Sequence, residues 1–159
     1  MAFVSSGQLG ADLTSTSTTA LFALGTTFQG TDASEWVYVL AGEALTVYSS
    51  LAVTQAYSAS MLTNTNAVTN NFYATNQIAF ASADYGWVCK RGVPVTLRVG
   101  ASCAKNVALY TTATAGVLDD TATSIAFRVD GVQARTTNSA GGAASQPGIV
   151  VYPNIIVPA

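Results

Sequence analysis

Short runs in which apolar and polar residues alternate recur along the chain from residue 35 to residue 152. The clearest run covers residues 93–99, where every second residue is Val or Leu. A period of two is typical of a β-strand that buries one face and wets the other. Pro94 lies within this run and has no backbone N–H to donate. We therefore expect the strand to lie at a sheet edge or to start at Pro94.

The stretch from Tyr85 to Val99 has the strongest strand pattern of the chain. It contains one of the two tryptophans and the first basic residues of the chain. Its pattern predicts two β-strands joined at Arg91-Gly92. Cys89 falls two residues after Trp87 in the first of these strands, which is typical of a small core residue.

Further strands are predicted at 35–40, 45–53 (as one strand or two), 56–62, 72–81, 107–111, 117–118, 125–129 and 148–153. The alanines of 56–62 leave a helix there as an alternative. Asp130-Gly131 predicts a two-residue hairpin, and the alternative is a bulge within one continuous strand. We expect a flexible loop over Thr136–Pro147. Nine or ten short strands without a clear helix predict an all-β fold, a single-domain β-barrel or β-sandwich.

The chain divides into an extended N-terminal arm, residues 1–20, and a β-domain, residues 21–159. The arm is rich in Ser and Thr and has scattered apolar residues, Phe3, Val4, Leu9 and Leu13. One interpretation is a disordered terminus. The favoured interpretation is an arm that is mobile in the free protein and adds a strand to a partner's sheet, with these four side chains contacting the partner.

Charged residues make up 9% of the 159 residues, where about a quarter is usual, while half are apolar. Such a surface is poorly solvated for a free monomer and predicts burial against copies of the chain or a partner. No segment approaches the roughly 18 apolar residues of a membrane helix, so no membrane partner is expected. No secretory signal is expected at the N-terminus either.

The charges are unevenly distributed. Residues 1–89 contain five acids and no Lys or Arg, and residues 90–159 contain all six bases and three acids. A nucleic-acid-binding protein would cluster many more bases, so no nucleic-acid partner is expected. Mutual neutralisation within one fold is the favoured explanation of the asymmetry.

The sequence lacks the residues of most catalytic sites. The chain has no His, which removes the commonest general base, the Ser-His and Cys-His nucleophile systems and the commonest metal ligand. No cofactor, metal site or enzymatic activity is therefore predicted. Asp32 with Glu35, and Asp119 with Asp120, are the carboxylate pairs; in a turn such acids usually accept hydrogen bonds from backbone amides. A cation site at Asp119-Asp120 is a minority alternative.

The two cysteines, Cys89 and Cys103, are too few for a disulfide framework, and we expect both to be reduced. A Cys89–Cys103 bridge is the less favoured alternative. The aromatic residues of the strands could build a carbohydrate platform, but core packing explains their alternating positions better.

Four segments resemble small virion proteins of tailed bacteriophages, and among these the capsid decoration, or cement, proteins. They are Gly25–Leu40, Phe80–Val88, Val99–Asp120 and Asp130–Val132, and together the resemblance covers most of residues 21–152.

The resemblance implies a β-rich homotrimer on the outer face of the capsid, bound to the major capsid protein at three-fold and quasi-three-fold positions. It implies no catalytic residue. The expected function is therefore a non-enzymatic virion protein, made in the host cytoplasm, that stabilises the shell by bridging neighbouring capsomers. The alternatives are a tail or head-fibre component and a carbohydrate-binding β-module.

Overall fold

The structure is a computed structural model that describes residues 11–68 and 71–156. Its architecture is all-β, as predicted, and one turn of 3-10 helix, Asn66–Val68, is the helical element of the described ranges. Residues 56–62 contain a strand rather than the alternative helix. In chain order the strands are β1 (Thr27–Gln29), β2 (Glu35–Ala41), β3 (Ser50–Val53), β4 (Ser58–Met61), β5 (Phe72–Thr75), β6 (Tyr85–Val99), β7 (Leu109–Thr111), β8 (Leu118–Asp119), β9 (Arg128–Ala134) and β10 (Ala144–Ile156).

The strands form two rings that share β6. The first ring runs β2-β4-β3-β5-β6 and closes through β2–β6 pairing, which makes a five-stranded barrel, with β1 added outside on β2. The second runs β6-β10-β9-β7-β8 and returns to β6 through one pair, Val99 with Leu118. A ring with an odd number of strands cannot be antiparallel throughout. Each ring accordingly contains one parallel pair, β2–β4 in the first and β6–β8 in the second.

The prediction of two strands joined at Arg91-Gly92 is wrong, because β6 is one strand of 15 residues. Its first half pairs with β2 and its second half with β10, so both rings use it. Gly92 is required for close packing and not for a turn. A Cβ there would lie 2.7 Å from Val95 Cγ1, so a larger residue would disturb close packing inside the strand.

Pro94 neither starts a strand nor lies at a sheet edge, so that prediction is also wrong. It lies in a β-bulge, where the pairing shifts between Gly148 and Val150 on β10. A bulge needs no ladder donor at its extra residue, which is why Pro94 fits inside a long strand. Beyond the bulge the predicted alternation holds, with Val95, Leu97 and Val99 buried, whereas Val93 is 55% exposed.

The hairpin predicted at Asp130-Gly131 is wrong. The strand is continuous there, as in the alternative, although the extra residues of the bulge lie in β10 and not in β9. β9 runs through both residues and pairs with β10 on either side of an irregularity between Val150 and Asn154. Gly131 has a φ of +78°, and a Cβ there would lie 2.5 Å from the Val151 carbonyl oxygen. The glycine thus allows the extra residues of β10 to approach the backbone of β9 closely.

Two hydrophobic clusters fill the rings. Ten buried residues, including Val37, Leu51 and Val88, form the cluster of the first ring. A larger cluster, including Leu97, Leu109 and Val150, fills the second. Ala52 of β3 belongs to this second cluster although its neighbours in β3 face the first, so β3 is buried on both faces.

The buried polar side chains form hydrogen bonds with residues of the strands and loops. The Ser50 and Tyr73 hydroxyls lie 2.8 Å apart, and burial raises the pKa of Tyr73. Asn138 is fully buried and its Nδ2 donates to the carbonyl oxygens of Gly100 (2.6 Å) and Gly142 (2.9 Å). The loop between β9 and β10 is therefore anchored, and β10 begins at Ala144, earlier than predicted.

Residues 11–26 pack along the outside of the first ring. The backbones of Ser17 and Tyr85 exchange two hydrogen bonds, of 2.9 and 2.7 Å. Phe22 contacts Tyr38 and Trp87 with ring centroids 5.3 and 5.2 Å apart. The described part of the predicted arm, residues 11–20, is thus attached to its own domain, whereas the sequence suggested an arm free of it.

Candidate interaction surface

The structure describes one of the four predicted partner-contact residues. Leu13 is half-buried, and Phe3, Val4 and Leu9 lie outside the described residues. Leu13 lines a groove of about 470 Å³, here called the Trp36 groove, whose other lining residues are Phe28, Gly30, Thr31, Asp32, Ser34 and Trp36.

The floor of the Trp36 groove is aromatic. Phe28 of β1 stands directly opposite Trp36 of β2, so their side chains share one face. The indole Nε1 of Trp36 donates to Ser34 Oγ at 2.8 Å, which fixes the ring. Asp32 stands at the rim, where hydrogen bonds from the Ser34 side chain and backbone lower its pKa, so it remains ionised at neutral pH.

A second surface lies where β10 passes β6. It is called the β10 face and consists of Arg91, Val93, Val151 and Tyr152. Three of these are large apolar side chains with exposed fractions of 55%, 41% and 61%. Val151 is paired with Arg91 across the two strands, which places both on the outer side of the sheet. This patch is the kind of exposed apolar surface that marks an interaction site.

Tyr152 is held in an unusual conformation. Its φ is +46°, the left-handed region that bulky residues rarely adopt. The Arg91 guanidinium lies 5.3 Å from the centre of its ring, and Arg91 Nη1 donates to its hydroxyl at 3.4 Å. Tyr48 and Tyr57 also have a positive φ, so this conformation does not by itself mark a functional site. The bulge of β10 presents the tyrosine outward instead of burying it.

A cleft of about 360 Å³ borders the β10 face, between β9 and the segment before β7. Val151 belongs to both surfaces. Arg128 and Asp130 line this cleft and form a salt bridge with each other. The apolar patch therefore has a polar rim, an arrangement typical of protein–protein contact sites.

The structure brings Asp119, Asp120 and Cys103 together, with one potential ligand atom of each within 4.8 Å of the others. The carboxylates accept backbone hydrogen bonds, although Asp119 ends strand β8 and does not lie in a turn. Asp119 Oδ1 accepts from the Asp120 amide and Asp120 Oδ2 from the Ala104 amide, both at 2.9 Å. Burial raises the pKa of Asp119. In the other carboxylate pair, Glu35 forms a salt bridge with Lys90 at 3.6 Å and Asp32 accepts a hydrogen bond from the Ser34 amide at 3.0 Å.

Both cysteines are free and buried, so the alternative of a bridge between them is not what the structure contains. Burial raises the pKa of Cys89 to about 12 and that of Cys103 to about 11. Their thiolate fractions at neutral pH are therefore very small.

The alternating positions predict that the aromatic residues lie in the core, which is correct for Tyr38, Tyr73 and Trp87. It is wrong for Tyr152, the centre of the β10 face. The one signal in the sequence was Pro153, which follows Tyr152 and disfavours a regular ladder there. The pattern of apolar residues gave no sign of the outward bulge.

Comparison of the chain with models of protein families, with curated proteins and with solved structures found no match. Among the described residues, no helix has the length and apolar character needed to span a membrane.

Proposed function

We propose that the protein is a non-enzymatic virion structural protein that binds the outer surface of a phage capsid and stabilises the shell by bridging neighbouring capsomers. The observation that carries the proposal is the β10 face, an exposed apolar patch on a chain with only 9% charged residues. The sequence resemblance to capsid decoration proteins supplies the identity of the partner, the major capsid protein.

The β10 face has the chemistry of a contact centre. Tyr and Arg are the residues most enriched where truncation costs the most binding energy. Arg91 already orients Tyr152, so less side-chain freedom is lost when a partner covers the ring. The salt bridge between Arg128 and Asp130 keeps the rim hydrated without adding net charge.

Shell stabilisation follows from several such contacts acting together. A single patch of three apolar side chains binds a partner weakly by itself. A homotrimer would present three patches to the capsomers around one three-fold position, and linked contacts raise the overall affinity by a factor of about 10² to 10⁴. In this proposal the protein is made in the host cytoplasm and resides on the outer surface of the virion.

The test uses the double variant Val151→Ser, Tyr152→Ser and undecorated capsids of the phage that encodes the protein. We expect the variant to lose most of its co-sedimentation with capsids, and its particles to rupture at a lower temperature than those decorated by the unaltered chain. Ile125→Ser is the matched control, because Ile125 is 63% exposed but lies outside the β10 face. Equal binding by the double variant and the control would refute the role of this face.

The β10 face also favours a second candidate, a carbohydrate-binding module, which is compatible with a tail or head-fibre location. An exposed tyrosine with a cation fixed beside it offers a sugar both a stacking face and a hydrogen-bond donor. A glycan array probed with the protein and with Tyr152→Ala separates the two functions. Glycan binding that depends on Tyr152, without capsid binding, would favour this candidate.

A further inference from the structure

We propose that a cavity beside β7 binds one neutral, hydroxyl-rich ring, a hexopyranose unit of a glycan. The cavity has a volume of about 470 Å³, which lies within the range of small-molecule sites in proteins. It is here called the Asn64 cavity and shares no residue with the β10 face. Its lining includes Asn64, Thr111 and Thr112 at β7, and Thr123, Ser124 and Ile125 in the loop between β8 and β9.

The carboxamide of Asn64 is held in one orientation. Thr111 is buried, and its hydroxyl oxygen accepts a hydrogen bond from the Phe127 amide at 2.9 Å. The hydroxyl proton in turn donates to Asn64 Oδ1 at 2.6 Å. Nδ2 therefore points away from Thr111, and it makes no hydrogen bond to any residue that the structure describes. Asn64 thus supplies a fixed N–H donor that is available to a ligand.

The loop between β8 and β9 adds hydroxyl groups. Thr123 and Ser124 are exposed, and neither hydroxyl is hydrogen-bonded within the described part of the chain. The Ala126 amide donates to the Thr123 carbonyl oxygen at 3.0 Å, which closes a turn around these residues. Each hydroxyl can both donate and accept, so the two side chains can pair with the hydroxyl groups of a ligand.

Ile125 gives the Asn64 cavity an apolar side. Its side chain is 63% exposed, and the exposed Ala113 also belongs to the lining. A pyranose ring has hydroxyl groups around its edge and C–H groups on its faces, so it can contact the polar groups and Ile125 at the same time. A purely apolar ligand would instead bury the Asn64 amide and the hydroxyls without partners, which costs free energy.

The cavity selects against charged ligands. No Lys or Arg is among its described lining residues, so a phosphate or carboxylate would lack a counter-charge. Asp119 is the one acidic residue of the lining. A Cβ on Gly100 would lie 2.8 Å from Asp119 Cγ, so the carboxyl group lies against Gly100, which does not line the cavity. The inference therefore commits to a neutral ligand, and it does not depend on the proposed capsid function.

Amide NMR spectra of the isotope-labelled full chain test the proposal. The probes are methyl glucopyranoside, methyl galactopyranoside and N-acetylglucosamine, with glucuronate and cyclohexanol as comparators. We expect at least one neutral sugar to shift the amide signals of Thr123, Ser124 and Ile125 in a saturable way. Glucuronate and cyclohexanol should bind about tenfold more weakly, because the first brings an unpaired charge and the second leaves the donors of the cavity without partners.

Matched variants locate the binding. Asn64→Asp keeps an oxygen that accepts from Thr111 but removes the N–H donors, so sugar affinity should fall by about tenfold. Asn154→Asp makes the same change at an exposed position outside the cavity and should leave sugar affinity unchanged. Ile125→Ser alters an exposed side chain and so keeps the fold, and it should also weaken sugar binding.

The same titration of Tyr152→Ala separates the Asn64 cavity from the β10 face, and the shifts at the cavity should be unchanged. Absence of saturable shifts with all three sugars would overturn the proposal. Equal sugar affinity of Asn64→Asp and Asn154→Asp would also overturn it, as would equal binding of cyclohexanol. Shifts confined to the β10 face and lost in Tyr152→Ala would assign sugar binding to that face instead.

Discussion

Asn138 fixes the loop between β9 and β10 because its side-chain amide donates and accepts hydrogen bonds at the same time. Its Nδ2 reaches two carbonyl oxygens within 2.9 Å, and its Oδ1 accepts from the Ala140 amide at 3.0 Å. Asn138→Ala would remove these three hydrogen bonds, one of which is made to the carbonyl oxygen of the buried Gly100. We expect a loss of about 1–3 kcal/mol in the free energy of unfolding, measured by urea denaturation.

The matched control for this substitution is Asn154→Ala, because the Asn154 side chain is exposed. Its effect should stay within about 0.5 kcal/mol. Equal effects of the two variants would mean that the Asn138 hydrogen bonds do not contribute net stability.

Two aspartates should respond to pH with opposite signs. Burial raises the pKa of Asp119 in the folded state above the usual 3.8, so its charge opposes folding at neutral pH. Asp119→Asn should therefore raise the melting temperature at pH 7. This gain should disappear below pH 3.8, where the carboxyl is protonated in the folded and unfolded states.

Asp32 is the opposite case. Hydrogen bonds from Ser34 lower its pKa below 3.8, so its stabilising contribution is present above that pH and is lost as the pH falls through the lowered value. Asp32→Asn should lower the melting temperature at pH 7 and converge with the unaltered chain in acid. Parallel pH profiles for the two variants would contradict both assignments.

At the scale of the strands, the β9–β10 irregularity depends on Gly131. Its φ of +78° and the 2.5 Å approach of the Val151 oxygen exclude a side chain at that position. Gly131→Ala should destabilise the fold by more than about 1 kcal/mol in urea denaturation. Gly141→Ala is the control, since no heavy atom lies within 4 Å of a Cβ at that glycine.

The alternation of apolar residues was a good guide where a strand has one buried and one wet face. It located most strands and the buried side chains after the Pro94 bulge. It failed where close packing or a β-bulge determines which residue occupies a position. The glycines at 92 and 131 serve close packing and a bulge, and local sequence cannot distinguish these uses from a turn.

The candidate site was less accessible to sequence reasoning. An exposed tyrosine in a strand looks like a buried one until the register is known, and the register of β10 changes within three residues of Tyr152. The ring closure through β6 is likewise not a local property, because β2 comes before β6 in the chain and β8 comes after it, and the alternation within a strand does not predict either pairing.

For the whole molecule, the resemblance and the sparse surface charge predict a homotrimer. Closed symmetry lets copies of one chain cover each other's apolar patches and sheet edges. Light scattering of the purified protein should give a mass of three chains. A monomer at micromolar concentration would contradict a trimer preformed in solution.

The cysteines report on the integrity of the whole molecule. Both are fully buried, with pKa values raised by burial to about 12 and about 11. Without any reductant, a thiol reagent should find two thiols per chain in denaturant and almost none in the native protein. Fewer than two thiols in denaturant would indicate oxidation.

The sharing of β6 determines how the protein can come apart. Release of β6 removes a wall from both hydrophobic clusters at once, because Val88 belongs to one and Leu97 to the other. Loss of β6 from the folded chain would therefore disrupt both rings together. Scanning calorimetry should therefore show a single two-state transition, with equal calorimetric and van't Hoff enthalpies. During synthesis, the second ring cannot close until β10 has left the ribosome, although the first has all its strands once β6 has emerged.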